Sequence, residues 1–160
     1  MENIVVAIDF SEITPTVIEQ AAEIARCFGS QLWLLHIAAP EPEFVGYGTG
    51  PQSKRDWRAK TLKEEHRYIQ GQARELSQSG IKVTTLLLQG ETVETILREA
   101  AKLNAEMIVL GSHGHGALYK AILGSVSEGI IHKTSCPVLI VPYRHPKPFK
   151  EYQKEIGENE

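Results

Sequence analysis

The composition of this 160-residue chain indicates a single globular domain of ordinary size. Hydrophobic residues make up 42% and charged residues 23% of the chain, so a core can form without structural disulfides or metals. The formal net charge of −3 argues against binding to nucleic acid or to an anionic membrane. No apolar run has the length of a membrane span, and the first, Ile4 to Ile8, is too short for a signal peptide. We therefore expect a cytoplasmic protein without membrane insertion, in which Cys27 and Cys136 are reduced thiols.

The first part of the chain contains two strand-like runs around one amphipathic stretch. Residues 4–8 are apolar and mostly β-branched, which is typical of a strand covered on both faces in a parallel sheet. A helix is predicted to begin at Thr14–Pro15, with the threonine hydroxyl as its N-cap, and to end at Gly29. Residues 31–37 predict a second strand, and residues 38–53, rich in proline and glycine, predict a long loop.

The rest of the chain continues the alternation of helix and strand. A helix with its N-cap at Ser53 is predicted to end at Gly80. It is followed in chain order by a strand over residues 83–88, a helix ending near Asn104, a strand over 107–110, a helix around 126–131 and a strand over 138–141. This order predicts an α/β fold with a five-stranded, mostly parallel sheet flanked by helices on both faces. We assign residues 1–142 to this domain and residues 143–160 to a polar C-terminal tail.

A glycine-rich segment follows the fourth predicted strand and points to a phosphate ligand. In open α/β sheets, ligands bind beyond the carboxyl ends of the strands, where the strand order reverses. Gly111, Gly114 and Gly116 allow backbone N–H groups to face such a ligand. The sequence Gly124-Ser125-Val126-Ser127 then opens a helix, whose free N–H groups and dipole attract anions. Two alternatives stay open: the glycines form only a tight turn, and Ser125 is only a helix cap.

The common nucleotide-binding motifs do not fit this segment. Gly111 and Gly116 have the P-loop spacing, but Ala117-Leu118 follows where the motif requires lysine and then serine or threonine. A dinucleotide-binding fingerprint requires glycines after the first strand, and the sequence there, DFSEIT, has none. Asp9 and His36 instead end the first and second predicted strands, so both lie at the same edge as the glycine segment. His36 is expected to make a backbone hydrogen bond.

The glycine spacing resembles the signature of a known family. Gly111-x2-Gly114-x9-Gly124-Ser125 is similar to the ATP-binding signature of the universal stress proteins. The stretches IVVAIDFSE, LLHI, EMIVLGSHGHG and LGSVSEGIIHKTSCPVLIVP also look like that family, over residues 1–142. The resemblance implies a Rossmann-like, five-stranded α/β sandwich that is usually a homodimer. It also implies membership of the branch that binds ATP without a P-loop.

The resemblance further implies a nucleotide site built from the ends of three strands and the start of the last helix. The residues implied near the base and ribose are Ala7, Asp9, Ile37 (through its backbone) and Leu110. Those implied near the phosphates are Gly111, His113, Gly114, Gly124, Ser125, Val126 and Ser127. Phe10 departs from the family pattern, in which a small residue is commoner after the acid. An Mg²⁺ ion is expected to accompany the phosphates, with Asp9 or Ser127 as distant partners.

These patterns favour a stress-response protein that binds ATP, ADP or AMP and signals as a homodimer. The dimer is expected to form through the last strand, Val138 to Val141, whose backbone needs a partner if it lies at the sheet edge. Two alternatives stay open: a non-nucleotide dimeric module that docks on a partner protein, and an enzyme that hydrolyses ATP slowly or transfers an adenylyl group. Catalysis has little support, because no Ser-His-Asp set can be placed and charged groups for phosphoryl transfer are few. A metal site at His113 and His115 is disfavoured, since no cysteine or carboxylate follows at a ligand spacing.

Overall fold

The fold is a five-stranded parallel sheet with helices packed on both faces. The computed structural model describes residues 1–38, 52–112 and 123–143. The strands are β1 (Asn3–Ala7), β2 (Gln31–Ala38), β3 (Val83–Gln89), β4 (Met107–Gly111) and β5 (Val138–Val141). The helices are α1 (Thr14–Phe28), α2 (Gln52–Gln78), α3 (Thr92–Lys102) and α4 (Ser125–Lys133). This architecture confirms the predicted fold class and the predicted alternation of strands and helices.

The strands lie across the sheet in the order β3-β2-β1-β4-β5, and every neighbouring pair is parallel. The chain builds outward from β1 to β3 on one side, then crosses back and adds β4 and β5 on the other. The strand order therefore reverses between β1 and β4, which is where open α/β sheets bind their ligands. β5 lies at one edge of the sheet, the position that a dimer through this strand requires.

Alternate residues along β1 belong to two separate hydrophobic cores. One core joins Val6 to the apolar faces of α1 and α2. The other joins Val5 to α3 and α4. The apolar run read from the sequence is thus a strand covered on both faces, as predicted. The same alternation places Ala7 on the α3–α4 face and Ile8 on the α1–α2 face.

The start of α1 differs from the sequence prediction. Thr14 is the first residue of the helix, and the N-cap is Ile13, which makes no side-chain cap hydrogen bond. The Thr14 hydroxyl instead donates to Asp9 Oδ1 at 3.3 Å, because the turn after β1 brings that carboxylate within reach. The predicted end is confirmed: Gly29 terminates the helix in the left-handed conformation, with φ 68°.

The bounds of the long loop and of α2 also shift. Ala38 still belongs to β2, and α2 begins at Gln52, so the predicted N-cap at Ser53 is wrong. Serine is common both at the cap and in the first turn of a helix, so its presence places a start only to within one or two residues. The rest of the predicted loop, residues 39–51, lies outside the described residues.

Gly129 allows α4 to pack closely on α3. A β-carbon added to Gly129 would lie 2.9 Å from Val93 Cγ2 and 3.3 Å from Val93 Cγ1. Valine in a helix has essentially one side-chain rotamer, so Val93 cannot turn away. Gly71, in the interior of α2, is the opposite case, since a β-carbon there meets nothing within 4 Å.

We expect Gly129→Ala to destabilise the protein and Gly71→Ala to stabilise it. Overpacking against Val93 costs about 1–3 kcal/mol, which outweighs the gain of about 1 kcal/mol from replacing a helical glycine. At Gly71 only the gain remains. Thermal midpoints of the two variants beside the wild type measure both effects, and the added change Val93→Ala should restore stability to Gly129→Ala. Equal stabilisation by both alanines would contradict the close contact of α3 and α4.

Candidate functional site

The ends of β1, β2 and β4 bring three predicted site residues onto one face of the sheet. Ala7 and Leu110 are register partners in the β1–β4 pair. Ile37 lies two residues beyond Leu35, the partner of Ala7 in the β1–β2 pair. Ala7, Ile37 and Leu110 pack in the α3–α4 core together with Val126 of α4. Where the strand order reverses, Ala7, Ile37 and Leu110 therefore form an apolar wall on this face of the sheet.

Asp9 lies in the turn that follows β1, and its carboxylate organises that turn. Oδ1 accepts hydrogen bonds from the Ser11 backbone N–H at 3.0 Å and from the Ser11 hydroxyl at 2.5 Å. It also accepts the hydrogen bond from Thr14 described above. The carboxylate is half-buried. Its position beside the strand reversal is thus fixed by several donors from the turn and from the first residue of α1.

Phe10 adopts a backbone conformation that is unusual for its residue type. Its φ is 61°, in the left-handed region, which costs a residue with a β-carbon about 1–2 kcal/mol. The ring packs against the α1–α2 core, on the opposite face from Ala7 and Leu110. Its centroid lies 4.1 Å from the ring of His36 and 4.9 Å from that of Tyr68. The large side chain therefore turns away from the apolar wall.

His36 is buried below this turn and makes the predicted backbone hydrogen bond. Its Nδ1 lies 2.9 Å from the carbonyl oxygen of Ile8. A carbonyl only accepts, so Nδ1 carries the proton and donates. Nε2 faces Glu65 of α2, with 3.8 Å between Nε2 and Oε2. Glu65 Oε2 is buried and has no hydrogen-bond partner within the described part of the chain.

Sequence reasoning missed two α2 residues near this turn, Glu65 beside His36 and Tyr68 beside Phe10. Glu65 precedes the buried Ile69 by one helical turn, so its spacing placed it on the inward face of α2. Tyr68 is partly exposed, yet its ring reaches Phe10. Burial of this ring, helped by the negative charge of Glu75, raises the pKa of Tyr68 above its ordinary value of 10.0. The helical spacing between Glu65 and Ile69 identifies Glu65 as an inward-facing residue, whereas no feature of the sequence singles out Tyr68.

Two hydrogen bonds join the end of β4 to the start of α4. The Gly124 N–H donates to the Ser112 carbonyl at 2.7 Å, and the Ser127 hydroxyl donates to the Gly111 carbonyl at 2.8 Å. Gly124 is the N-cap, so the interpretation of Ser125 as the cap is wrong. Ser125 is instead the first helical residue, with an exposed side chain, while Ser127 is buried. The predicted residues Gly111, Gly124, Ser125, Val126 and Ser127 thus lie together.

The helix start leaves backbone donors at this edge. The N–H groups of the first turn of an α-helix have no partner within the helix, and the helix dipole adds positive potential there. In α4 these groups belong to Ser125, Val126 and Ser127. Such an arrangement binds anions. The predicted partners His113 and Gly114, together with Gly116 and His115, lie outside the described residues.

Ser112 connects the site to the segment after β5. Its N–H donates to the Val141 carbonyl at 2.7 Å, and its hydroxyl oxygen accepts from the Tyr143 N–H at 2.8 Å. The Tyr143 hydroxyl donates to Glu12 Oε2, in the turn after β1, at 2.7 Å. Tyr143, the first residue of the predicted tail, therefore bonds to the domain, and residues 144–160 lie outside the described part. A small polar residue directly after a buried strand was the only sequence signal for Ser112.

The described ranges provide further facts on thiols, metals and membranes. Cys27 and Cys136 are both free. Partial burial, assisted by the charge of Glu106, raises the pKa of Cys136 above 9.0. Within residues 1–38, 52–112 and 123–143, no group of His, Cys, Asp and Glu is arranged to hold a metal ion. Over the same ranges, no helix has the length and hydropathy needed to cross a bilayer.

Comparison with known proteins assigns most of the chain to a family. The family model described as "Universal stress protein family" matches residues 1–142. The chain belongs to the universal stress protein family. A universal stress protein of Methanocaldococcus jannaschii is 30% identical over 153 residues, covering 94% of this chain and 85% of the relative. One from Thermus aquaticus is 31% identical over 142 residues, covering 88% and 98%.

Solved structures of universal stress proteins share this fold. A second Methanocaldococcus jannaschii protein superposes with a TM-score of 0.80 at 26% identity, covering 91% of this chain and 98% of its own. Two more distant structures have bound nucleotides. One, a universal stress protein in complex with cAMP, has a TM-score of 0.65 at 18% identity, covering 88% and 96%. The other, from Archaeoglobus fulgidus in complex with dAMP, has a TM-score of 0.59 at 22% identity, covering 88% and 97%.

The two serines of α4 should differ in their contribution to stability. Ser127→Ala leaves the half-buried Gly111 carbonyl without this donor, so we expect a loss of about 1 kcal/mol or more. Ser125→Ala removes an exposed hydroxyl and should change stability by less than about 0.5 kcal/mol. Urea unfolding of both variants without nucleotide measures the difference. If the two alanines behaved alike, the hydrogen bond from Ser127 would not hold β4 to α4.

Proposed function

We propose that this universal stress protein binds an adenine nucleotide (ATP, ADP or AMP) at the edge where the strand order reverses. In this proposal it acts in the cytoplasm as a homodimer whose nucleotide state signals in the stress response. The observation that carries the proposal is the junction of β4 and α4, where the helix start presents N–H groups without partners inside the helix beside the apolar wall. The cAMP and dAMP complexes of proteins with the same fold support this choice of ligand.

Each part of the nucleotide has a counterpart among the described residues. The wall formed by Ala7 and Leu110 suits the flat, apolar faces of adenine, and the Ile37 backbone lies at the adjoining strand end. The Asp9 carboxylate accepts hydrogen bonds and suits the ribose hydroxyls. The first-turn N–H groups of α4 and the exposed Ser125 hydroxyl suit the phosphates.

Ser127 acts differently from its neighbour in this proposal. Its hydroxyl already donates to the Gly111 carbonyl, so its contribution to phosphate is the backbone N–H. His113 and Gly114 complete the phosphate site by the family resemblance. A Mg²⁺ ion travels with the phosphates, since phosphate oxygens and waters supply most of its ligands. Asp9 is then a distant partner of this ion.

We propose binding rather than catalysis as the main activity. The Asp9 carboxylate is already an acceptor for Ser11 and Thr14, so it has no evident role as a general base. Phosphoryl transfer needs cationic groups around the transferred phosphate. ATP hydrolysis, where it occurs, is expected to be slow.

Mg-ATP should stabilise the wild type, and a bulky residue at Gly114 should remove that effect. A ligand at about 100 times its dissociation constant adds about 2.7 kcal/mol, which raises the thermal midpoint by several degrees. The measurement is the thermal midpoint of nucleotide-stripped protein with and without Mg-ATP, for the wild type and for Gly114→Val. A wild type that shows no shift would refute nucleotide binding and leave a docking module as the better function.

The homodimer is proposed to form through the outer edge of β5. The carbonyls of Pro137 and Val141 accept hydrogen bonds from β4 and the residue after it, at 2.9 and 2.7 Å. Strand residues alternate in the side to which their backbone groups point, so Val138 and Ile140 direct theirs outward. No described strand pairs with that edge. Two copies related by a two-fold axis would satisfy these groups.

We expect Ile140→Pro to give a monomer and Ile140→Ala to remain a dimer. Both changes remove the isoleucine side chain, but only proline also removes the outward N–H, while leaving the bonds to β4 in place. Sedimentation velocity over a range of protein concentrations measures the mass of each variant. A wild type that sediments as a monomer, or a proline variant that still dimerises, would contradict pairing through β5.

A further inference from the structure

His36 contacts both residues that flank Asp9. On one side of Asp9, the Nδ1–H of His36 donates to the Ile8 carbonyl at 2.9 Å. On the other side, the His36 ring lies against the ring of Phe10, with 4.1 Å between centroids. His36 itself is 8% exposed and lies on β2, an interior strand of the sheet. A rigid, buried side chain thus holds the backbone on either side of the Asp9 carboxylate.

The conformation of Phe10 depends on these contacts. Left-handed backbone in a residue other than glycine persists only where the surroundings hold it, and it is found often at functional sites. The ring of Tyr68 also packs edge-on against the Phe10 ring, with 4.9 Å between centroids. An ordinary β-region φ at Phe10 would carry the ring out of this position. The same rotation would redirect the chain next to Asp9.

We propose that Phe10 and His36 are positioning residues that aim the Asp9 carboxylate at the nucleotide. This inference rests on the proposed nucleotide site. Neither ring touches the nucleotide in this arrangement, because Phe10 packs on the α1–α2 face and the apolar wall lies on the α3–α4 face. The Ser11 and Thr14 donors hold the carboxylate from the helix side, and the two rings hold its backbone from the sheet side.

A double-mutant cycle between Phe10 and Asp9 tests the inference. The dissociation constant of Mg-ATP is measured by calorimetry for the wild type, Phe10→Ala, Asp9→Asn and the double variant. We expect Phe10→Ala to weaken binding about tenfold, or ~1.4 kcal/mol. When Asp9 is already replaced by Asn, adding Phe10→Ala should weaken binding by less than about twofold, because Phe10 affects the nucleotide only by positioning the Asp9 carboxylate. His36→Ala in place of Phe10→Ala should behave in the same way.

Two further variants separate positioning from general destabilisation. Phe10→Tyr keeps the ring and should bind within about twofold of the wild type. Leu76→Ala removes buried side-chain volume in the last turns of α2 and should lower the thermal midpoint without changing the dissociation constant. The positioning role alone would be overturned if Phe10→Ala bound Mg-ATP as tightly as the wild type. It would also be overturned if the fold-losses in affinity of the two single variants multiplied in the double variant. A wild type that binds no ATP would overturn the proposed function and this inference together.

Discussion

The parallel pairing of β1 with β4 is the constraint on which the candidate site depends. It sets Ala7 beside Leu110 and brings the turn after β1 next to the turn after β4. Both strands run in the same direction, so α1 and α4 start at the same edge, but they pack on opposite faces. At this edge, the α3–α4 core therefore provides the apolar wall. The α1–α2 core packs against Phe10, next to Asp9. A sheet without this reversal would leave no gap between the two turns.

The irregular backbone at this edge is held by a small number of hydrogen bonds. Buried peptide groups that leave a strand or helix must find other partners. At the end of β4, Ser112 supplies most of them, through its N–H, its carbonyl and its hydroxyl. At the end of β1, the carboxylate of Asp9 and the imidazole of His36 provide hydrogen-bond partners for backbone groups in the same way. Polar side chains thus lie where strands and helices end, and packing in the two hydrophobic cores fixes the positions of those ends.

The sequence predicted the elements well because most of them have a clear period or clear flanking residues. β5 is the best case, since Pro137 and Pro142 bound its apolar run on both sides. The role of Thr14 was predicted wrongly, because its hydroxyl could either accept from a helix N–H or donate to the Asp9 carboxylate. The geometry of the turn decides that choice. The approach of Glu65 to His36 and of Tyr68 to Phe10 depends on how α2 packs on the sheet, which no local sequence pattern contains. The site residues came from the family resemblance, and the structure groups the described ones at one edge.

The hydrogen bond from Gly124 to Ser112 closes the base of the segment between them. Because the two ends already meet, the entropy of closing that segment rises only slowly as residues are added. Added residues there would therefore cost little stability and would leave β4 and α4 in place. The sheet, both cores and the start of α4 therefore do not depend on the length of this one segment.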